Sequence, residues 1–211
     1  FAPGAREALG LDDPQGKLLL ASHLGDVEAC RALAQREGGK TINALVFSDN
    51  AQRFKQIMQE MAPQAGLNLL PVNSIGPDTA ILLKEKLERG EWVAIVGDRI
   101  AVNPQRGGEW RVCWSRFMGQ NAPFPQGPFI LASILRCPVD LIFALRQQEK
   151  LHIYCEPFAD PLLLPRATRQ QALQNTVDRY AERLEHYALQ SPLDWFNFFD
   201  FWQLPDTNDK E

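Results

Sequence analysis

Residues Lys17–Phe47 read KLLLASHLGDVEACRALAQREGGKTINALVF. Lys17–Ser22 is a short apolar run between Gly16 and His23, the pattern of a strand buried on both faces. From Asp26 to about Arg36 good helix formers follow, with Val27, Cys30, Leu33 and Ala34 on one face. Gly38-Gly39 ends that helix, and the β-branched, apolar Thr41–Phe47 begins a second strand. Strand, helix and strand joined by short connections define a crossover unit, and such units build parallel sheets covered on both faces.

The alternation continues. Ala51–Ala62 carries Phe54, Ile57, Met58 and Met61 at helical spacing and stops at Pro63; Leu67–Val72 is a third strand. Pro77 suits a first helical turn, the helix runs to Arg89, and Gly90 closes it. Trp92–Val96 is a fourth strand, followed by Gly97-Asp98-Arg99. The segment from Arg99 to Glu109 breaks the rhythm with Pro104, Gly107 and Gly108 and reads as a loop. Beyond it, Arg111–Phe117 reads as a strand, Gln126–Leu135 as a helix, Val139–Arg146 with Leu151–Glu156 as a hairpin, and Arg169–Gln190 as one long polar helix. With no internal repeat and no linker, the expectation is a single α/β domain over 1–211, a mostly parallel sheet flanked by helices.

Composition removes several classes. Of 211 residues 45% are hydrophobic, too many for a disordered chain. The 22 basic against 26 acidic residues leave a net charge of −4, so no nucleic-acid partner is expected. Cys30, Cys113, Cys137 and Cys155 form no C-x-x-C pair, and His23, His152 and His186 do not cluster with them. No zinc site follows from such spacing, and each cysteine reads as a small buried hydrophobe. Gly38-Gly39-Lys40-Thr41 imitates the tail of a phosphate-binding loop, but Ala34 stands where its first glycine belongs, and the tetrapeptide follows a helix instead of a strand. No metal or cofactor is implied.

His23 is the residue with chemistry to explain. It stands just past the C-terminal end of the first strand, the edge at which α/β sheets hold their ligands. A histidine accepts protons near neutral pH, and a carboxylate partner fixes its tautomer. Asp26 and Glu28 are both near in sequence. In a continuous helix Glu28 would lie about 140° around the axis from His23. Pairing of His23 with Glu28 therefore requires His23 to sit in the turn before the helix, with Gly25 letting the chain bend and Asp26 as the N-cap.

His23-Leu24-Gly25-Asp26-Val27-Glu28 resembles the H-x4-D/E signature of the glycerolipid acyltransferase superfamily, in the H-x4-E form of the lipid A biosynthesis lauroyl/myristoyl acyltransferases. Val96-Gly97-Asp98-Arg99 is similar to that family's strand-ending Asp-Arg block. Asn121-Ala122-Pro123-Phe124-Pro125-Gln126-Gly127-Pro128, then Leu131-Ala132 and Cys137-Pro138-Val139, look like its P-F-P-x-G-P…L-A…P-V segment. The agreement covers residues 17–158. The aromatic tail Trp195-Phe196-Asn197-Phe198-Phe199-Asp200-Phe201-Trp202 departs from it and resembles a divergent branch of predicted acyltransferases. Taken by itself, that tail suits either a membrane interface or packing into a core or dimer.

The resemblance implies a glycerol-3-phosphate acyltransferase-like fold and transfer of a fatty acyl group from a thioester, that of acyl carrier protein, to a hydroxyl or amine of a lipid or glycolipid. It implies His23 as general base with Glu28 as its partner, and Arg99 as a cation near the substrate. Asp98, Arg53 and Gly127 join Arg99 as substrate-binding candidates, Arg53 from the end of the second strand and Gly127 from a turn that opens a helix. Arg106, Arg111 and Arg116 are candidates for phosphates of donor or acceptor. The implied workplace is the cytoplasmic face of the bacterial inner membrane, with a hydrophobic anchor expected upstream of Phe1. Two other readings use the same residues: an acyl-thioester hydrolase with water as acceptor, for which no serine nucleophile elbow is present, and a non-catalytic domain that binds acyl carrier protein or lipid.

Overall fold

Leu18, Leu19, Leu20 and Ala21 are all buried, so the strand they form, β1 (Leu18–Ala21), is covered on both faces. This computed structural model describes residues 1–47, 67–72, 76–100, 110–198 and 200–204. A short helix α1 (Ala5–Leu9) precedes β1. After it come α2 (Val27–Gly38), β2 (Ile42–Phe47), β3 (Leu67–Val72), α3 (Pro77–Glu88) and β4 (Trp92–Val96). The second half holds β5 (Val112–Phe117), β6 (Gln120–Pro125), α4 (Gly127–Leu135), β7 (Val139–Gln147), β8 (Lys150–Ala159) and α5 (Arg169–Gln190). The helix expected over Ala51–Ala62 lies outside the described residues.

Six strands form one sheet in the order β3-β2-β4-β1-β7-β8. All neighbours are parallel except β7 and β8, the expected hairpin, which turns through Gln148 and Glu149 at positive φ. The α/β class with a mostly parallel sheet therefore holds. Alternation along β1 separates two cores. Leu18 and Leu20 join Leu83, Phe129, Leu131, Val177 and Tyr180 from α3, α4 and α5 on one face. Leu19 and Ala21 join Ala5, Leu9 and Cys30 from α1 and α2 on the other. Each Leu or Phe so withdrawn from water contributes about 1.5–3 kcal/mol.

Strand β6 and the long helix α5 both go beyond the sequence reading. Gln120–Pro125, to which the sequence reading assigns no element, is a strand that pairs antiparallel with β5 through a turn at Met118-Gly119, φ 52° and 80°. Pro123 and Pro125 are tolerated there because this pair forms its own two-stranded sheet, with no third strand to serve. The polar helix Arg169–Gln190 has the expected bounds, but one face of it is buried core, including Val177, Tyr180, Leu184 and Tyr187. Arg183 ties the helix to β8, its Nε and Nη2 donating to both oxygens of Glu156 at 2.8 and 2.6 Å.

One ion pair lies inside. Lys17 and Asp140 are 7% and 4% exposed, and Lys17 Nζ donates to Asp140 Oδ2 at 2.6 Å. Burial pushes the Asp140 carboxyl up, and the Lys17 ammonium works against that shift. Removing one partner strands the other charge in an apolar setting, which costs about 3–5 kcal/mol. Lys17→Met should lower the urea-unfolding free energy by about that much, and Lys17→Met with Asp140→Leu should restore most of it. Equal stability of Lys17→Met and the parent would show that the pair carries no such constraint.

Candidate functional site

The β1–β4 ladder aligns Ala21 with Val96, and two residues beyond each of these come His23 and Asp98. At this edge the Ala21 carbonyl accepts two hydrogen bonds, from Gly97 N–H at 2.9 Å and from the Tyr180 hydroxyl at 2.8 Å. Burial first, then the nearby Asp98 charge, push the Tyr180 hydroxyl well up, so it stays a neutral donor. Gly97 is required by that ring: a Cβ there would stand 2.8 Å from Tyr180 Cζ. The strand end is thereby closed on top of α5, and Asp98 is turned toward His23.

Asp98 is 3% exposed and holds His23 at two points. His23 N–H donates to Asp98 Oδ2 at 2.8 Å, and His23 Nδ1 lies 2.8 Å from Asp98 Oδ1. An ionised carboxylate only accepts, so Nδ1 carries a proton, and in the neutral imidazole Nε2 keeps its lone pair. The imidazole side chain remains 28% exposed, so the ring is reachable while its partner is not. Trp195 Nε1–H is a further donor to Asp98 Oδ2, at 3.3 Å.

The bend after His23 has the expected form. Gly25 has φ +77°, and Asp26 caps α2 by accepting from Ala29 N–H at 3.0 Å. Gly25 N–H donates to the Asp194 carbonyl at 2.8 Å, and Asp26 N–H to the Ala144 carbonyl at 2.9 Å. Leu24 bridges to Trp195, and Phe196 N–H donates to the His23 carbonyl at 2.9 Å. The tail thus lies along the His23 turn. Trp195, Phe201 and Trp202 pack with Phe117, with centroids 5.1, 5.4 and 6.3 Å from it. Phe196 and Phe198 stay 48% and 89% exposed.

The other candidates fall as follows. Glu28 is the second residue of α2, and its side chain lies outside the described part of the structure. Asp98, a substrate-binding candidate from the sequence, is hydrogen-bonded to the histidine. Arg99 follows it directly and is exposed. Gly127 opens α4 beside Gln126, whose side-chain amide donates to the Val112 carbonyl at 2.9 Å. Arg111 and Arg116 are exposed, while Arg53 and Arg106 lie outside the described residues. All four cysteines are buried free thiols. Burial pushes Cys137 up to about 11 and Cys155 up to about 12, so neither supplies a thiolate nucleophile at neutral pH.

Trp195 and the Asp98 pairing escaped the sequence reading. The local acid at H-x4-E drew the partner assignment to Glu28, whereas Asp98 is 75 residues away. The signal for Asp98 was its position: like His23, it directly follows the end of a strand of the parallel sheet. Among the described residues, no helix is long and apolar enough to cross a membrane. No protein-family model matches the chain, and no curated protein matches its sequence.

Gly25 is the residue on which the turn depends. A Cβ there would stand 1.8 Å from the Ala144 carbonyl oxygen, which is backbone and cannot step aside, and φ is already left-handed. Gly25→Ala is expected to lower stability by more than about 2 kcal/mol in chemical denaturation. An unchanged midpoint would show that the chain relaxes without the β7 contact.

Proposed function

We propose that this domain is an acyltransferase that moves a fatty acyl group from a thioester to a hydroxyl or amine of a lipid or glycolipid. One observation carries the reading: an accessible imidazole at the sheet edge whose Nδ1 is held by a buried carboxylate. That arrangement supports general-base chemistry and needs no protein nucleophile. The resemblance over residues 17–158 supplies the reaction class and the glycerol-3-phosphate acyltransferase-like variant of the α/β fold. Acyl carrier protein is the favoured donor, and a coenzyme A thioester would present the same reacting group.

In this reading His23 Nε2 takes the proton of the acceptor O–H or N–H as that atom attacks the thioester carbonyl carbon. The carbonyl π pair moves onto oxygen, and a cation or N–H donors must meet the resulting charge. Arg99, one residue from Asp98, is the proposed cation. Collapse of the tetrahedral adduct breaks the C–S bond, and the proton on Nε2 goes to the departing sulfur. Asp98 stays ionised and stabilises the imidazolium between the two transfers. Glu28 is retained from the resemblance as the motif's acid and a candidate partner of His23, with Gly127 and Arg53 as candidate contacts.

A lipid acceptor suits the surroundings of the site. Leu193, Phe196 and Phe198 are 94%, 48% and 89% exposed, and they lie in the tail that runs along the His23 turn. Large apolar side chains exposed together are the usual mark of contact with lipid or another protein. A membrane surface is the proposed partner, at the cytoplasmic face of the bacterial inner membrane.

The test is acyl transfer from labelled acyl carrier protein and acyl coenzyme A to a bacterial lipid extract. His23→Ala should fall about 10²–10⁴-fold, the scale of a lost general base. Asp98→Asn should fall at least about 100-fold while keeping the fold, because an amide can present its N–H to Nδ1 and favour the wrong tautomer. Full transfer by His23→Ala would overturn the assignment. Release of free fatty acid at the same rate with and without acceptor would reassign the site to thioester hydrolysis.

A further inference from the structure

The carboxylate that orients His23 is itself held from the far end of the chain. Among the described residues, Asp98 receives two hydrogen bonds from His23 and one from Trp195 Nε1–H. The two from His23 fix the pair relative to each other. The bond from Trp195 comes from a different part of the fold and fixes where the carboxylate sits within it.

Trp195 is well placed to do so because its ring is set by other contacts. Its ring meets Phe117 and Phe201 at near edge-on angles, with centroids 5.1 and 4.9 Å away. Its backbone is tied on both sides. Asp194 Oδ2 accepts from Arg146 N–H at 2.8 Å, the Asp194 carbonyl accepts from Gly25 N–H, and Phe196 N–H donates to the His23 carbonyl. The indole N–H is therefore aimed at Asp98 by contacts that lie outside the His23–Asp98 pair.

We infer that Trp195 is a positioning residue of this site: its indole N–H fixes the Asp98 carboxylate and thereby keeps His23 in the Nδ1–H tautomer with Nε2 bare. The kinetic consequence rests on the acyl-transfer reading; the tautomer does not. Trp195→Phe removes the N–H and keeps an aromatic ring against Phe117. Phe124→Leu is the control, since it loosens the same aromatic cluster through Phe117 and Phe201 and leaves the Trp195 ring partners and the N–H in place.

The measurement is the ¹⁵N spectrum of histidine-labelled protein, in which only three histidines need assignment. The parent should show His23 with a pyridine-type Nε2. Trp195→Phe should move that resonance toward the average of the two tautomers, and Phe124→Leu should not. In acyl transfer, Trp195→Phe should lower kcat about tenfold with KM changed less than about twofold, the mark of a lost orientation. An unchanged His23 resonance in Trp195→Phe, or an equal change in Phe124→Leu, would overturn the inference. If Trp195→Phe does not fold, replacement of Trp195 by 3-benzothienylalanine puts sulfur at the N–H position on the same ring shape, with the same two outcomes. Absence of transfer in the parent with every thioester would refute the reaction while the tautomer shift still decides the role of Trp195.

Discussion

Ala21 faces Val96 across a parallel ladder, and nearly everything at the site descends from that register. In parallel strands both chains leave the sheet at the same edge, so residues two positions past aligned partners emerge side by side. His23 and Asp98 are such a pair. A slip of one residue in either strand would exchange the faces of its side chains and send the carboxylate toward the opposite core. The register is in turn held by the burial of β1 on both faces and by the Ala21 carbonyl, which Gly97 and Tyr180 satisfy together. The hydrophobic core and the chemistry therefore rest on one set of backbone hydrogen bonds.

Much of the fold was legible because its signals are local. The apolar run Lys17–Ser22, within which β1 spans Leu18–Ala21, the stop at Gly38-Gly39, Pro77 opening α3 and the strand Trp92–Val96 each need only a short window. What was missed depends on context. Strand β6 contains two prolines, a breaking signal anywhere but in an isolated pair. Helix α1 is five residues between two left-handed glycines, too short to show a period. The buried pair of Lys17 with Asp140 joins residues 123 apart and leaves no trace in either neighbourhood.

The site divides the same way. His23 was legible as a histidine at a strand end, and the Gly25 bend and Asp26 cap followed from the spacing. The Asp98 contact was not, because strand register brings that acid to His23 and a local window does not show register. The tail posed a choice between core and interface, and the structure divides it residue by residue. Trp195, Phe201 and Trp202 pack on Phe117, while Phe196 and Phe198 remain largely in solvent.

The bridge between Leu24 and Trp195 joins an early residue to a late one, 171 positions apart, and this gives the domain a temporal order. A chain made from its N-terminus exposes β1 through β4 to the solvent long before residue 195 exists. Sheet formation can begin on the growing chain, since domains fold as units while synthesis proceeds. The turn that carries His23 then waits for its last neighbour. Until the tail arrives, the Gly25 amide, the His23 carbonyl and the Asp98 carboxylate each lack a partner that the finished protein provides. Completion of this edge requires residues 194–196, so the imidazole acquires its full frame only in a chain synthesised through that tail.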